Sequence, residues 1–255
     1  MTGETAPDRK VFRITGKDRE SFLQGLITND ARRLAEGPVY AALLTPQGKY
    51  LADFLLVPDG EGVLLDIHEG LAEATAKRLS LYRLRADVQI APTGLHVLRG
   101  LGTAPPGAVA DPRHPALGWR MYSAEPGGPP EIDWDAIRVA HCIPETGVEL
   151  VPNDTYILEA GFERLNGVDF RKGCYVGQEV TARMKHKTDL RKGLTGVTVT
   201  GPAGPGTPIL AGDRPAGMLF TRSGDRAIAW LRFDRAGGPL TAGNAQVRAD
   251  PPANG

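Results

Sequence analysis

Apolar residues recur along this chain at two spacings, and the switch between them predicts the elements. Val11 to Thr15 (VFRIT) alternates apolar and polar positions and predicts a strand, which Gly16 breaks. The residues before it, through Asp8, show no pattern and read as a loose tail. Asp18 stands as the N-cap of a helix that carries Phe22, Leu23 and Leu26 on one face, and Ile27 to Asp30 (ITND) reads as its exit loop. In VYAALLTPQGKYLADFLLVPDGEGVLLDIH, three apolar runs are separated by the turn sequences TPQGK and PDGEG, which predicts an antiparallel meander. Leu71 to Leu84 returns to helical spacing, and VQIAP and LHVLRGLG read as further strands. The order β-α-βββ-α-ββ predicts an α+β sandwich with helices on one face of an antiparallel sheet.

The second half is less regular. Residues 102–130 are rich in Pro and Gly, with GWRMYS as one strand-like run. Asp133 to Pro144 (DWDAIRVAHCIP) predicts a helix with Ile137, Ala140 and His141 on one side, ended by Pro144. Loop-like sequence follows until Gln178, where Glu179 and Arg183 stand four apart, as an i,i+4 pair at a helix start would. Beyond Lys192 the texture changes to short strand-like runs closed by Gly, Pro or Asp, which predicts a small β-barrel. The expected division is an α+β region over residues 1–189, itself divisible into two subdomains, and a barrel over 190–255. The boundary is placed near Asp189 to Gly193.

Composition narrows the function classes. With 30 basic and 30 acidic residues the chain is neutral, which disfavours a dedicated nucleic-acid binder. Two cysteines supply neither a disulfide framework nor the four thiolates of a zinc or iron–sulfur site, so no stably bound metal is expected. The start has no apolar signal region, and no run has the length of a membrane span. The expectation is a cytoplasmic protein with reduced thiols, without membrane, DNA or tRNA contacts. Dinucleotide, phosphate-loop, nucleophile-elbow and zincin motifs are absent.

Candidate chemistry concentrates in DFRKGCYVGQEVTARMKHK, from Asp169 to Lys187. Cys174 lies between Gly173 and Gly177, beside Arg171 and Lys172 and just before the predicted helix. Cations and a helix N-terminus favour a thiolate; a small buried hydrophobe in a turn is the equally weighted alternative. Cys142, on the predicted apolar helix, reads as core. The cations Arg183, Lys185, Lys187, Arg191 and Lys192, set against Asp189 alone, read as a solvated face or a local anion site. Trp134 reads as core or as a stacking surface.

Lys172 to Arg183, KGCYVGQEVTAR, resembles the signature K-G-C-Y-x-G-Q-E-x-x-A-R of the YgfZ family, folate-binding proteins of iron–sulfur cluster assembly. These are related to the T-protein, the GcvT-type aminomethyltransferase of the glycine cleavage system. ITGKDRESFLQGLITND, AALLTPQGKYLADFLL and the approach LVPNDTYILEAGFERLNGVDF resemble further family segments, so the likeness spans roughly residues 10 to 235. The Tyr-Val-Gly-Gln-Glu variant is shared with the family's mitochondrial branch of late-acting assembly factors. The resemblance implies a GcvT-like folate-binding α+β region with a small C-terminal barrel. It carries the family's key thiol onto Cys174, with Lys172 beside it. It carries tetrahydrofolate contacts onto Trp134, Tyr175, Gln178, Glu179 and Arg183. The family's Glu-Ala-Gly is Ala140-His141-Cys142 here.

The implied function is folate-dependent assembly or repair of [4Fe–4S] clusters in client enzymes, tRNA-modifying enzymes among them. The implied partners are those clients, the assembly machinery and folate. One cysteine is not a cluster site, so any cluster would be shared with a partner. The alternative is a tetrahydrofolate-dependent aminomethyltransferase of the T-protein type. A third class, an RNA-binding module on the Arg183 to Lys192 cations, lacks an interleaved aromatic platform.

Overall fold

A computed structural model describes residues 3–187 and 190–250. Asp189, named above in the boundary and the basic run, lies outside the described residues, as do the first two residues of the expected tail and the side chain of Lys187. The chain divides into two units. The first comprises residues 1–132 and 165–178, the second residues 133–164 and 179–255.

The first unit contains the expected meander. Strands β3 (Val39–Leu44), β4 (Tyr50–Asp59) and β5 (Gly62–His68) pair antiparallel in sequence order; β2 (Arg9–Thr15) joins β5, and β6 (Gln89–Pro92) closes the five-stranded sheet beyond β2. The period of two explains its main core. Phe12 and Ile14, Ala41 and Leu43, Phe54 and Leu56, and Leu65 and Ile67 alternate along their strands, and all are buried in one cluster with Leu23 of α1 (Arg19–Gln24) and Leu79 of α2 (Glu69–Tyr82).

The expected single sheet is two. A four-stranded sheet runs β1-β7-β9-β8, built from Glu4–Thr5, His96–Gly100, Trp119–Ser123 and Val109–Ala110. Its first strand corrects the expectation of a loose tail: Glu4 is buried, and its carboxylate accepts from the backbone N–H of Glu131 and Ile132 at 2.8 and 3.0 Å. The strand was invisible because its two residues pair with distant partners, β7 some 95 positions away and Gly128.

Charges buried in this unit were also not foreseen. Asp66 of β5 receives Arg9 at 2.6 Å, Arg120 at 3.0 Å and the Tyr122 hydroxyl at 3.0 Å. Asp111 receives Arg113 and again Arg120, at 2.8 and 2.9 Å. Burial opposes both carboxylate charges, but the arginines outweigh it and hold both groups below the usual carboxylate range. Asp18 is another correction. It makes no side-chain cap on α1; its carboxylate accepts from Asp87 N–H at 2.8 Å, fastening the Gly16 turn to the start of β6. Gly16 is required there, because at φ +105 a Cβ would stand 2.1 Å from the Asp87 carbonyl oxygen.

In the second unit, β10 (Lys192–Thr200), β13 (Arg226–Arg232), β12 (Arg214–Ser223), β11 (Pro208–Ala211), β14 (Leu240–Ala242) and β15 (Ala245–Ala249) close into an antiparallel barrel in that order. Val197, Val199, Leu219, Ala229, Leu231 and Val247 are among its filling. Helix α3 (Trp134–His141) packs on β12 and β13. Its buried face is Trp134, Arg138 and Val139, not the expected Ile137, Ala140 and His141. The pattern misled because a buried arginine supplies the inward position. Arg138 donates to Glu149 at 3.2 Å, to the Ile143 carbonyl at 3.0 Å and to the Thr221 hydroxyl of β12 at 3.1 Å. The helix also stops before Pro144: Cys142 takes the left-handed conformation (φ 50) and its N–H closes the last turn.

Candidate functional site

The signature loop gains its shape from a polar segment far away in sequence. Residues 27–30 do more than leave α1. The Thr28 hydroxyl accepts from Ala42 N–H of β3 at 2.8 Å and donates to the Gly167 carbonyl at 2.7 Å. The Thr28 carbonyl accepts from Asp169 N–H at 3.1 Å. The Asn29 amide donates to the carbonyls of Tyr40 and Asn166 at 2.8 and 2.7 Å. Both side chains are buried, so these bonds satisfy groups that water does not reach.

Gln24 and Lys172 then grip each other reciprocally. The Gln24 side-chain amide donates to the Lys172 carbonyl at 3.1 Å, while Lys172 Nζ donates to the Gln24 carbonyl at 2.6 Å. Lys172 Nζ also donates to the Ile27 carbonyl at 2.6 Å, and Gln24 Oε1 accepts from Ala31 N–H at 2.8 Å. Gln24 ends α1, so its carbonyl lacks an intrahelical partner, and the lysine supplies one. The ammonium lies 4.8 Å from the centre of the Tyr175 ring. Burial pushes the Lys172 amine down to about 8, against the pull of Asp30 and Asp169 in the other direction. Asp30 itself is drawn down to about 2, chiefly by its hydrogen bond from Arg32.

Lys172 is thus a strut of the loop, its ammonium committed to two carbonyls. Arg171 points into solvent, 3.9 Å from Asp169. Cys174 is exposed and not in a disulfide, which removes the alternative of a small buried hydrophobe. Gly173 has φ +96 and open space where a Cβ would be. On the other side of the thiol Tyr175 is buried, Val176 packs on the main core and Gly177 (φ +84) lies against the β3–β4 turn. A Cβ on Gly177 would meet the Thr45 carbonyl oxygen at 2.6 Å. Cys174 is therefore the exposed crest of a loop held on both flanks.

Of the other residues assigned from the sequence, Gln178 opens the expected helix, α4 (Gln178–Lys187), and its N–H donates to the Tyr175 carbonyl at 3.2 Å. Glu179 and Arg183 form the expected pair at 2.5 Å. The basic run is largely neutralised in place: Lys185 pairs with Glu163 at 2.5 Å and Lys192 with Glu159 at 3.5 Å, its ammonium 5.1 Å from the Trp230 ring. Trp134, at the start of α3, is 9% exposed. Burial pushes the Cys142 thiol up to about 11, which fits a structural role. Among the described residues no group of three or more His, Cys, Asp or Glu is placed to hold a metal ion, and no helix is long and apolar enough to cross a membrane. Gln24, Thr28 and Asn29 were missed as site residues, although the Q-G-x-x-T-x-D segment that holds them was read as part of the resemblance.

The chain is 31% identical to the mouse "iron–sulfur cluster assembly factor IBA57, mitochondrial", covering 91% of this chain and 78% of the mouse protein. It is 32% identical to the human protein of the same name, over the same shares. The chain belongs to the IBA57 family. Its barrel matches the C-terminal β-barrel domain of CAF17 over residues 191–254. The fold resembles that of the glycine cleavage system aminomethyltransferase T from Bartonella henselae, with a TM-score of 0.74 over 97% of this chain and 85% of that one. At 14% identity that likeness speaks for the fold, which is the expected GcvT-like α+β region with a C-terminal barrel. The IBA57 names correct one expectation: the mouse, human and Neurospora crassa family members are mitochondrial by name, which overturns the cytoplasmic reading. That reading had rested on the absence of leader and membrane patterns.

Proposed function

We propose that this protein assists the assembly or repair of iron–sulfur clusters in client proteins, with Cys174 as its working thiol. The observation that carries the reading is the presentation of Cys174: an exposed thiol on a loop whose two flanks are fixed by buried contacts. The IBA57 relatives, assembly factors by name, support the same class of function. A single thiolate supplies one of the four ligands of a [4Fe–4S] cluster, so the remaining ligands come from a client or a carrier. Transient ligation of a cluster, as cargo, asks of the protein that its thiol be accessible and held in position.

Tetrahydrofolate belongs to the proposal as a ligand to be measured. Gln178 offers an amide, but Glu179 is already paired with Arg183, the Trp134 ring is nine-tenths buried, and no carboxylate stands at Ala140-His141-Cys142. These side chains do not fit a folate contact set as they stand, and no chemical step is assigned to the ligand. Clients that thiolate tRNA, as the YgfZ resemblance implies, belong to the proposal in the same way.

The test is complementation of a strain lacking its own family member, with wild type and Cys174→Ala. Wild type should restore the activity of [4Fe–4S] enzymes and tRNA thiolation, and Cys174→Ala should not. Full rescue by the variant would refute the thiol's role. Formation of methylene-tetrahydrofolate from an aminomethyl-lipoyl carrier would instead support the T-protein type of transfer.

A further inference from the structure

Helix α2 ends in a group of side chains that the fold does not use. Its buried residues are Ala72, Thr75 and Leu79, which face the core of the first unit. The last turn and the residues after it behave differently. Leu81 is 70% exposed, Tyr82 38% and Leu84 90%. Leu84 also has φ +46, a conformation that favours Gly or Asn and costs a leucine about 1 kcal/mol. The position thus bears two local costs, solvation and conformation, and no intramolecular packing offsets either.

The stretch from Lys77 to Ala86 is cationic, between the exposed Glu73 and Asp87. Lys77, Arg78, Arg83 and Arg85 are exposed, and no acidic residue occurs from Lys77 to Ala86. Arg83 donates to the Val88 carbonyl at 3.1 Å, which ties down the turn. Lys77, Arg78 and Arg85 make no ion pair with a described residue. The result is an exposed apolar knob, Leu81, Tyr82 and Leu84, with Lys77, Arg78, Arg83 and Arg85 beside it in sequence.

We infer that this knob is a docking surface for a protein partner that presents an apolar pocket rimmed by carboxylates. Charge complementarity specifies the rim, and exposed leucines beside tyrosine and arginine specify the pocket. A lipid surface fits less well, since the apolar face of α2 is already spent on the core and only its end projects. RNA fits less well, since two leucines and one tyrosine give one stacking face. A second copy of the same knob would meet like charges. The surface is separate in sequence from the Cys174 loop and does not depend on what that thiol does.

The test places a photoreactive benzoylphenylalanine at Leu81 of the full chain, in cells of its own host, and identifies the adducts by mass spectrometry. An acidic protein should be captured, then purified and titrated against the unlabelled chain. Leu84→Asn should weaken binding about tenfold, as expected on losing an apolar anchor. Because asparagine suits the φ of this position, that variant should melt no lower than wild type, which separates docking from folding. Arg78→Glu with Arg85→Glu should weaken binding further, and added salt should weaken the wild-type complex. Adducts only with lipid, RNA or a second copy, no adduct at all, or a purified partner that binds Leu84→Asn as tightly as wild type, would each overturn the inference. Failure of Cys174→Ala to lose function would leave these binding results unchanged, so the two readings fail independently.

Discussion

Lys172→Met removes the amine from the centre of the signature loop while keeping much of the aliphatic stem. Two buried carbonyls, of Gln24 and Ile27, lose a charged donor. Hydrogen bonds to a charged group contribute about 1.5–3 kcal/mol each, so the gross loss is about 3–6 kcal/mol. Against it stands the cost of burying the charge. The amine falls from 10.5 to about 8, a difference of about 3 kcal/mol. The net loss at pH 7 is therefore about 0–3 kcal/mol.

The pH dependence follows from the same pair of values. Below pH 8 the amine is protonated in both states, and the burial cost is present in full. Between pH 8 and 10.5 the unfolded chain holds the proton more tightly than the native protein, so stability rises with pH. Methionine has no such term. The gap between wild type and Lys172→Met should widen by about 2–3 kcal/mol from pH 8 to pH 10. Urea-dependent hydrogen exchange of the β4 amides reports the first unit alone, and groups common to both proteins cancel in the difference. A variant more stable than wild type at pH 7, or a gap that stays constant from pH 8 to pH 10, would refute the account of Lys172 as a buried, hydrogen-bonded strut.

The two glycines that frame the thiol should differ on substitution. Gly173→Ala meets open space and bears only its positive φ, about 1 kcal/mol, whereas Gly177→Ala adds a clash with the Thr45 carbonyl and should cost at least about 2 kcal/mol more, read as the difference in melting temperature. The two thiols should separate in rate. At pH 8 iodoacetamide should label the exposed Cys174 at least about a hundredfold faster than Cys142, whose thiol is pushed up to about 11 and so is ionised to about one part in a thousand; equal rates would remove the distinction between a presented and a structural cysteine.

The meander, α2, the helix at Gln178 and the barrel were legible because each has its own period or turn chemistry. What escaped the sequence was polar and long-range. Arg138 looked like the outward position of an amphipathic helix, and buried partners distant in sequence, Glu149 and Thr221, hold it inward. Asp66 sat in an apolar run with nothing local to show that Arg9 and Arg120 would meet it. Asp18 had the right residue type for a cap, but a backbone N–H at Asp87 competed for its carboxylate and won. Glycine spacing left Cys174 evenly between a presented thiol and buried filler, and the structure shows it exposed. The lysine beside it was read as a partner of the thiol, because adjacency in sequence says nothing about which way a long side chain turns.

The latch between Gln24 and Lys172 joins positions 148 residues apart, and its two halves belong to segments of the first unit that the chain visits at different times. A ribosome that has delivered residues up to Ile132 has made the receiving half: α1, its open carbonyls, Thr28 and Asn29. It has not made the insert that these groups grip. The chain next produces residues 133–164, which belong to the second unit, before it returns with residues 165–178. A fragment cut at the first change of unit would therefore keep the socket and lose the plug, with buried donors and acceptors left facing each other across nothing. The exposed thiol is thus installed after its socket, and a chain that stops within residues 133–164 carries the socket without Cys174.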